Sequence, residues 1–246
     1  MQEILSLITQ KKREFAKLPL FDFMQDKSID PRDRLSFAPC MAHFIMSFSD
    51  LNKYIFREDL AVNRLQYIIN EHAHEDEGHC TWFLTDLEKL GMNPTSDFNQ
   101  ALKFIWGEET KITRQLAYQI TGYTFQADPI VKMAVIEALE EMGNTFFSIS
   151  SQVSLELENY TGNKYTYFGV SHLELETGHA VGTPGAENFI ANLQLTDSQR
   201  QEAIYAVEQI FQIFFEWTYE LLAFAQKQNS MAEVDQKLPE KVKVCT

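Results

Sequence analysis

The sequence predicts an all-α protein, a bundle of long helices around one hydrophobic core, and three observations lead there. Apolar residues recur at helical spacing over most of the chain. Glycines and prolines fall at the junctions between these periodic stretches, where they start or stop helices. No stretch alternates apolar and polar residues in the manner of a half-buried strand.

The first amphipathic stretch covers 2–17 and stops at Pro19. Asp30-Pro31, a capping residue followed by a proline suited to a first helical position, opens a segment over 31–56, which Pro39 should kink. A long helix is expected over 58–90, ended by Gly91 with Pro94 beyond. Thr95-Ser96-Asp97 caps the next, over 98–126. Asp128-Pro129 repeats the cap-and-proline signature before a helix over 129–160, closed by Thr161-Gly162-Asn163. A segment over 164–178 precedes a loop containing Gly182, Thr183, Pro184 and Gly185. The last helix starts at Thr196, where T-x-x-Q forms a capping box with Gln199, and runs to 228. Residues 229–246 are polar and lack amphipathic spacing, so they read as a mobile tail behind a single domain over 1–228. There is no internal repeat and no linker.

Composition narrows the function. Of 246 residues, 45% are hydrophobic and 19 are Phe, enough apolar material for a substantial interior. The three cysteines, Cys40, Cys80 and Cys245, are odd in number and form no CxxC pair, which argues against a disulfide framework or zinc ribbon and fits a reducing cytoplasm. No stretch reaches the length of a membrane span, and in MQEILSLITQKKREF the basic residues follow the apolar ones, unlike a secretory leader. A formal charge of −14 repels phosphate backbones, and only Lys11-Lys12-Arg13 interrupts it, so nucleic acid is not an expected partner.

The chemistry concentrates in two places, because five of the six histidines lie in two short clusters. In the first, His72-Ala73-His74-Glu75-Asp76-Glu77-Gly78-His79, a continuous helix would set His72 and His79 roughly 20° apart around its axis, with Glu75 and Asp76 flanking the stripe. The stripe continues through Trp82, Phe83, Asp86 and Leu90 and should face inward; His74 points elsewhere and is expected to be solvated. In the second, His172, Glu176 and His179 fall at i, i+4 and i+7 on one face, with Glu174 turned away. Between the clusters, VKMAVIEALEEMGNTFF places Glu140 on the core stripe beside Ile136 and Gly143, with Glu137 and Glu141 toward its edge. A carboxylate in a core needs a partner, and a metal ion provides one. Imidazole with carboxylate and no thiolate suits iron, zinc or manganese better than a structural zinc site. Two helices with paired histidines and a third with an inward Glu form the inventory of carboxylate metal sites in bundle cores. Phe83, Trp106, Phe146, Phe147, Tyr165 and Phe168 are expected in the core, without assignment to a substrate.

These residues resemble the heme-oxygenase-like diiron oxidases and oxygenases. His172-x3-Glu176-x2-His179 is similar to that family's final H-x3-D/E-x2-H motif, HCTWFLTDLEKLG from His79 to Gly91 to its first histidine helix, and Glu140 to its bridging Glu. Where the family has a Glu seven residues before the first His, this chain has His72, with Glu75 nearby. The resemblance implies a seven-helix bundle. It implies two irons, cycling between Fe(II) and Fe(III), held by His72, His79, Glu140, His172, Glu176 and His179, with Glu140 bridging and central to catalysis. It implies activation of O2 to oxidise a small molecule, an amino acid in the first instance, with Glu137 and Glu174 as candidates behind the ligands. FxKLPxF, VIEALE and SHLELETGHAVGT extend the likeness to nitrile-forming members, which implies a tryptophan-like substrate and a nitrile product. A homodimer is left open. Three other classes stay open: a thiaminase-like hydrolase, although Cys40 and Cys80 have no evident histidine partner; a heme protein, which would use one histidine of five; and a metal- or small-molecule-binding bundle without turnover.

Overall fold

A computed structural model of the chain describes residues 1–92, 97–179 and 185–237, apart from the side chains of 176–179 and 231–237. It is all-helical, with no strand among the described residues. The helices are α1 (Gln2–Phe15), α2 (Pro19–Gln25), α3 (Ala42–Leu51), α4 (Arg64–Asp76), α5 (Cys80–Lys89), α6 (Phe98–Ile105), α7 (Lys111–Thr124), α8 (Pro129–Thr161), α9 (Val170–His179), α10 (Ala186–Ala191) and α11 (Asp197–Lys237). No helix among the described residues is long and apolar enough to cross a membrane.

α8 is the axis of the bundle. It is buried on nearly every side and packs against α1, α2, α4, α7, α9 and α11, as a helix apolar all round must. Its ends follow local chemistry: the Asp128 carboxylate accepts the Ile130 N–H at 2.8 Å, Pro129 occupies the first turn, and Gly162 closes the helix at φ 71°. The Thr196 capping box also forms, with the Gln199 N–H donating to Thr196 Oγ1 at 3.2 Å and the Thr196 N–H to Gln199 Oε1 at 2.9 Å. The buried apolar side chains make one contiguous cluster that runs through all the long helices.

Other boundaries differ from the expectation. The stretch over 31–56 is not one kinked helix: 3-10 turns at Asp33–Leu35 and Ala38–Met41 lead into α3, which ends in a π turn at Asn52–Phe56. The expected helix over 58–90 starts only at Arg64, where Asn63 Oδ1 accepts the Gln66 N–H at 2.8 Å, and it breaks after Asp76. The break has an external cause. Ser49 Oγ, on α3, donates to the Glu77 carbonyl at 2.6 Å, and the chain tightens so that the His79 N–H reaches the Asp76 carbonyl at 3.2 Å, a 3-10 spacing. α5 then ends as predicted, with the Gly91 N–H on the Glu88 carbonyl, the Met92 N–H on the Leu87 carbonyl and Gly91 at φ 66°.

The segment over 98–126 also divides, at Gly107, because Arg114 Nη1 and Thr110 Oγ1 draw the Ile105 and Gly107 carbonyls out of helical pairing. α9 begins at Val170 rather than 164, and α11 runs to Lys237 rather than ending at 228. Of the tail over 229–246, residues 238–246 lie outside the described residues. Five of the six aromatics expected in the core are buried; Trp106 is 58% exposed, against His43.

Candidate metal centre

Two α4 residues one turn apart, His72 and Asp76, face Glu140 of α8. His72 Nε2 lies 3.2 Å from Asp76 Oδ2 and 3.2 Å from Glu140 Oε1, and all three side chains are buried. Their ligand atoms lie within 4.8 Å of one another. Burial works against charge on His72, but Glu140 and then Asp76 outweigh it and raise the imidazole well above its ordinary range. Without a metal, His72 is thus the cation that two carboxylates share.

The 3-10 turn after Asp76 brings His79 to this group. Residues three apart eclipse one another in that geometry, so His79 sits above Asp76 and its Nδ1 is 3.9 Å from Asp76 Oδ1. His79 Nδ1 in turn lies 3.2 Å from His172 Nε2, at the start of α9. The Asp76 carboxylate therefore stands between two imidazoles, His72 near one oxygen and His79, itself against His172, near the other. Aromatic rings seat the two imidazoles: Trp82 stacks on His79 at 4.3 Å between centroids, and Phe147 lies 3.9 Å from His172.

One cavity, of about 840 Å³ including its open mouth, reaches these groups. Asp76, His79, Glu140 and His172 line one part of it, and Phe44, Phe146, Phe147, Phe214, Trp217 and Leu139 line much of the rest. No Lys or Arg is among the described lining residues. Cys80 lines it as well, whereas Cys40 is buried elsewhere, its thiol pushed up by burial and by the Glu220 charge. A thiol held protonated in this way is a poor nucleophile, which weighs against a hydrolase built on Cys40.

Of the six residues expected as ligands, His72 and Glu140 meet in one group and His79 and His172 in the adjoining one. Glu176 and His179 belong to α9, but their side chains lie outside the described residues. Glu75 is exposed, as are His74 and Glu174. Glu141 pairs with Lys12 at the edge of α8. The residue that sequence reasoning left out is Asp76. A helical projection puts Glu75 and Asp76 on opposite flanks of the same stripe, so the sequence favours neither; the way α4 packs against α8 buries Asp76 and leaves Glu75 exposed. No family model matches the chain, and no curated protein matches it.

Proposed function

We propose that this chain is a non-heme diiron oxidase or oxygenase of the heme-oxygenase-like kind, acting on a small molecule with an apolar, aromatic body. The convergence of His72, Asp76 and Glu140 within 4.8 Å, buried at the edge of an aromatic cavity, carries the reading. The donor set fits the group: imidazole nitrogen and carboxylate oxygen, without thiolate, are the ligand chemistry of Fe(II). His72, Asp76 and Glu140 would hold one side and His79 and His172 the other, with Asp76 near a histidine of each; the resemblance adds Glu140 as the bridge, and Glu176 and His179. Bound iron would supply the activation of O2.

The remaining tasks belong to the protein. Phe146, Phe147, Phe214 and Trp217 give an aromatic substrate a dry surface, and the packed core around them limits the entry of water. Since the described lining holds no Lys or Arg, the polar end of the substrate would be received by the imidazoles, the carboxylates and the metal they would hold. The polar end of an amino acid could then ligate the bound metal, and the sharpest form of the proposal is conversion of a tryptophan-like amino acid to a nitrile.

Anaerobic loading with Fe(II) followed by metal analysis is the first test, with two irons per chain expected. Oxygen consumption is then measured with and without aromatic amino acids. A protein that takes up no transition metal refutes the diiron reading. Iron uptake without substrate-dependent oxygen consumption leaves a metal-binding bundle and refutes the oxidase.

A further inference from the structure

We propose that Asp86 is a positioning residue for this centre, and that it sets the tautomer of His172 through a single peptide group. The proposal rests on the reading of His172 as a metal ligand.

Asp86 lies on α5 and is 0% exposed. Its Oδ1 accepts the Thr166 N–H at 3.0 Å and its Oδ2 the Phe168 N–H at 3.1 Å. The Phe168 N–H and the Tyr167 carbonyl belong to the same planar peptide and point in opposite directions. That carbonyl lies 2.8 Å from His172 Nδ1. One peptide therefore has Asp86 on its donor side and His172 on its acceptor side. The remaining anchors fix the loop itself: Ser150 Oγ donates to the Phe168 carbonyl at 3.1 Å, and a Cβ on Gly169 would collide with the Tyr165 carbonyl.

The chemical consequence follows from what a carbonyl can do. It only accepts, so Nδ1 of His172 must carry the proton, and in the neutral ring the lone pair is then on Nε2, which faces His79 Nδ1 at 3.2 Å. A negative charge on the N–H side polarises the peptide and makes its carbonyl a better acceptor. Metal-ligating histidines are commonly oriented by such a bond on the opposite ring nitrogen. Here the carbonyl is itself held by a buried acid whose two oxygens accept two main-chain N–H groups. In Asp86→Asn one oxygen becomes an amide NH2, which opposes one of those N–H groups.

The test reads the ring nitrogens of His172 by ¹⁵N NMR in the metal-free full-length protein, with Fe(II) affinity in parallel. The expected result is the Nδ1–H tautomer in the parent protein, a mixture with Nε2–H in Asp86→Asn, and a roughly 10–100-fold loss of Fe(II) affinity in that variant. Glu220→Gln is the control, because Glu220 also accepts two main-chain N–H groups, from Ile112 at 2.7 Å and Thr113 at 2.8 Å, away from His172. It should cost stability and leave the His172 signal unchanged. If Asp86→Asn does not fold, Asp86→Glu replaces it: the carboxylate is kept one methylene out of place and should shift the tautomer part of the way. An Nε2–H tautomer in the parent, or a tautomer indifferent to both Asp86 variants, overturns the proposal even if the parent binds iron. A tautomer that follows Asp86 in a protein that binds no iron upholds the relay and refutes the metal reading instead.

Discussion

Glu137→Gln should make the chain more stable by an amount that depends on pH. Glu137 stands one turn before Glu140 on α8 and is only partly reached by solvent. Burial pushes its carboxyl from 4.5 up to about 7; His72 opposes the rise, and Glu141 and Glu187 add to it. A folded-state value above the unfolded one means that the folded protein holds this proton more tightly. Its contribution is then fully present below pH 4.5 and is lost as pH rises through 7. The difference of about 2.5 units (7 − 4.5) corresponds to about 3 kcal/mol at most, with residual solvent contact reducing it. Gln cannot ionise and escapes the penalty. Metal-free parent and variant should therefore unfold alike near pH 4.5, while at pH 8 the variant should gain up to about 3 kcal/mol, or roughly 6–12 °C in Tm for a chain of this size. Urea or thermal unfolding at pH 4.5, 6 and 8, with chelator present, measures the difference. A gap that stays constant across this range would show that burial does not set the charge of Glu137.

Metal loading should also depend on pH, because a metal ion must displace the proton that Glu140 and Asp76 hold on His72. Fe(II) affinity should rise with pH above 6.5, approaching tenfold per unit while His72 remains protonated; titrations giving one affinity at every pH would contradict the charged imidazole. Asp76→Asn should cost roughly tenfold or more in Fe(II) affinity, whereas Glu71→Gln, on the exposed side of α4, should leave affinity unchanged and stability within about 0.5 kcal/mol. Equal losses in the two variants would remove Asp76 from the site.

What could be read from the sequence was governed by short-range chemistry. Asp128-Pro129, Gly162, the Thr196 box and Gly91 act within a few residues of where they stand, so α8, the start of α11 and the end of α5 were legible. The inward stripe of α5 was legible for the same reason, and Phe83, Asp86 and Leu90 are buried as expected. The break after Asp76 was legible only in part: Gly78 is a poor helix former, but nothing near Glu77 announces that Ser49, on a different helix, will take its carbonyl. Two other boundaries had local signals that the helical periodicity overrode: Asn63 is a good capping residue, and Gly107 is followed by Thr110 and Arg114, which can take the freed carbonyls. Asp86 reads in sequence as one more residue of an inward stripe. Its role depends on a loop eighty positions away in the chain, which periodicity cannot reveal.

The same geometry explains how a group of buried acids can exist in a bundle before any metal arrives. Asp76 and Glu140 would oppose folding if they had to be buried as two bare charges, since each would lose hydration without compensation. His72 lies 3.2 Å from both and is held in its charged form by them, so the metal-free protein carries its own cation at the place where a metal would bind. Metal binding as proposed would then be an exchange of one cation for another inside a structure already held together by the apolar cluster around α8. This contrasts with small metal-dependent domains, in which the ion's binding energy is the folding energy. The ligand side chains add little apolar area to the core, so their replacement should change metal content far more than helical content. The fold and the proposed metal chemistry thus rest on different residues of the same helices. On α8 they are only one position apart, where Leu139 and Glu140 both line the cavity, one with an apolar surface and the other with a charge.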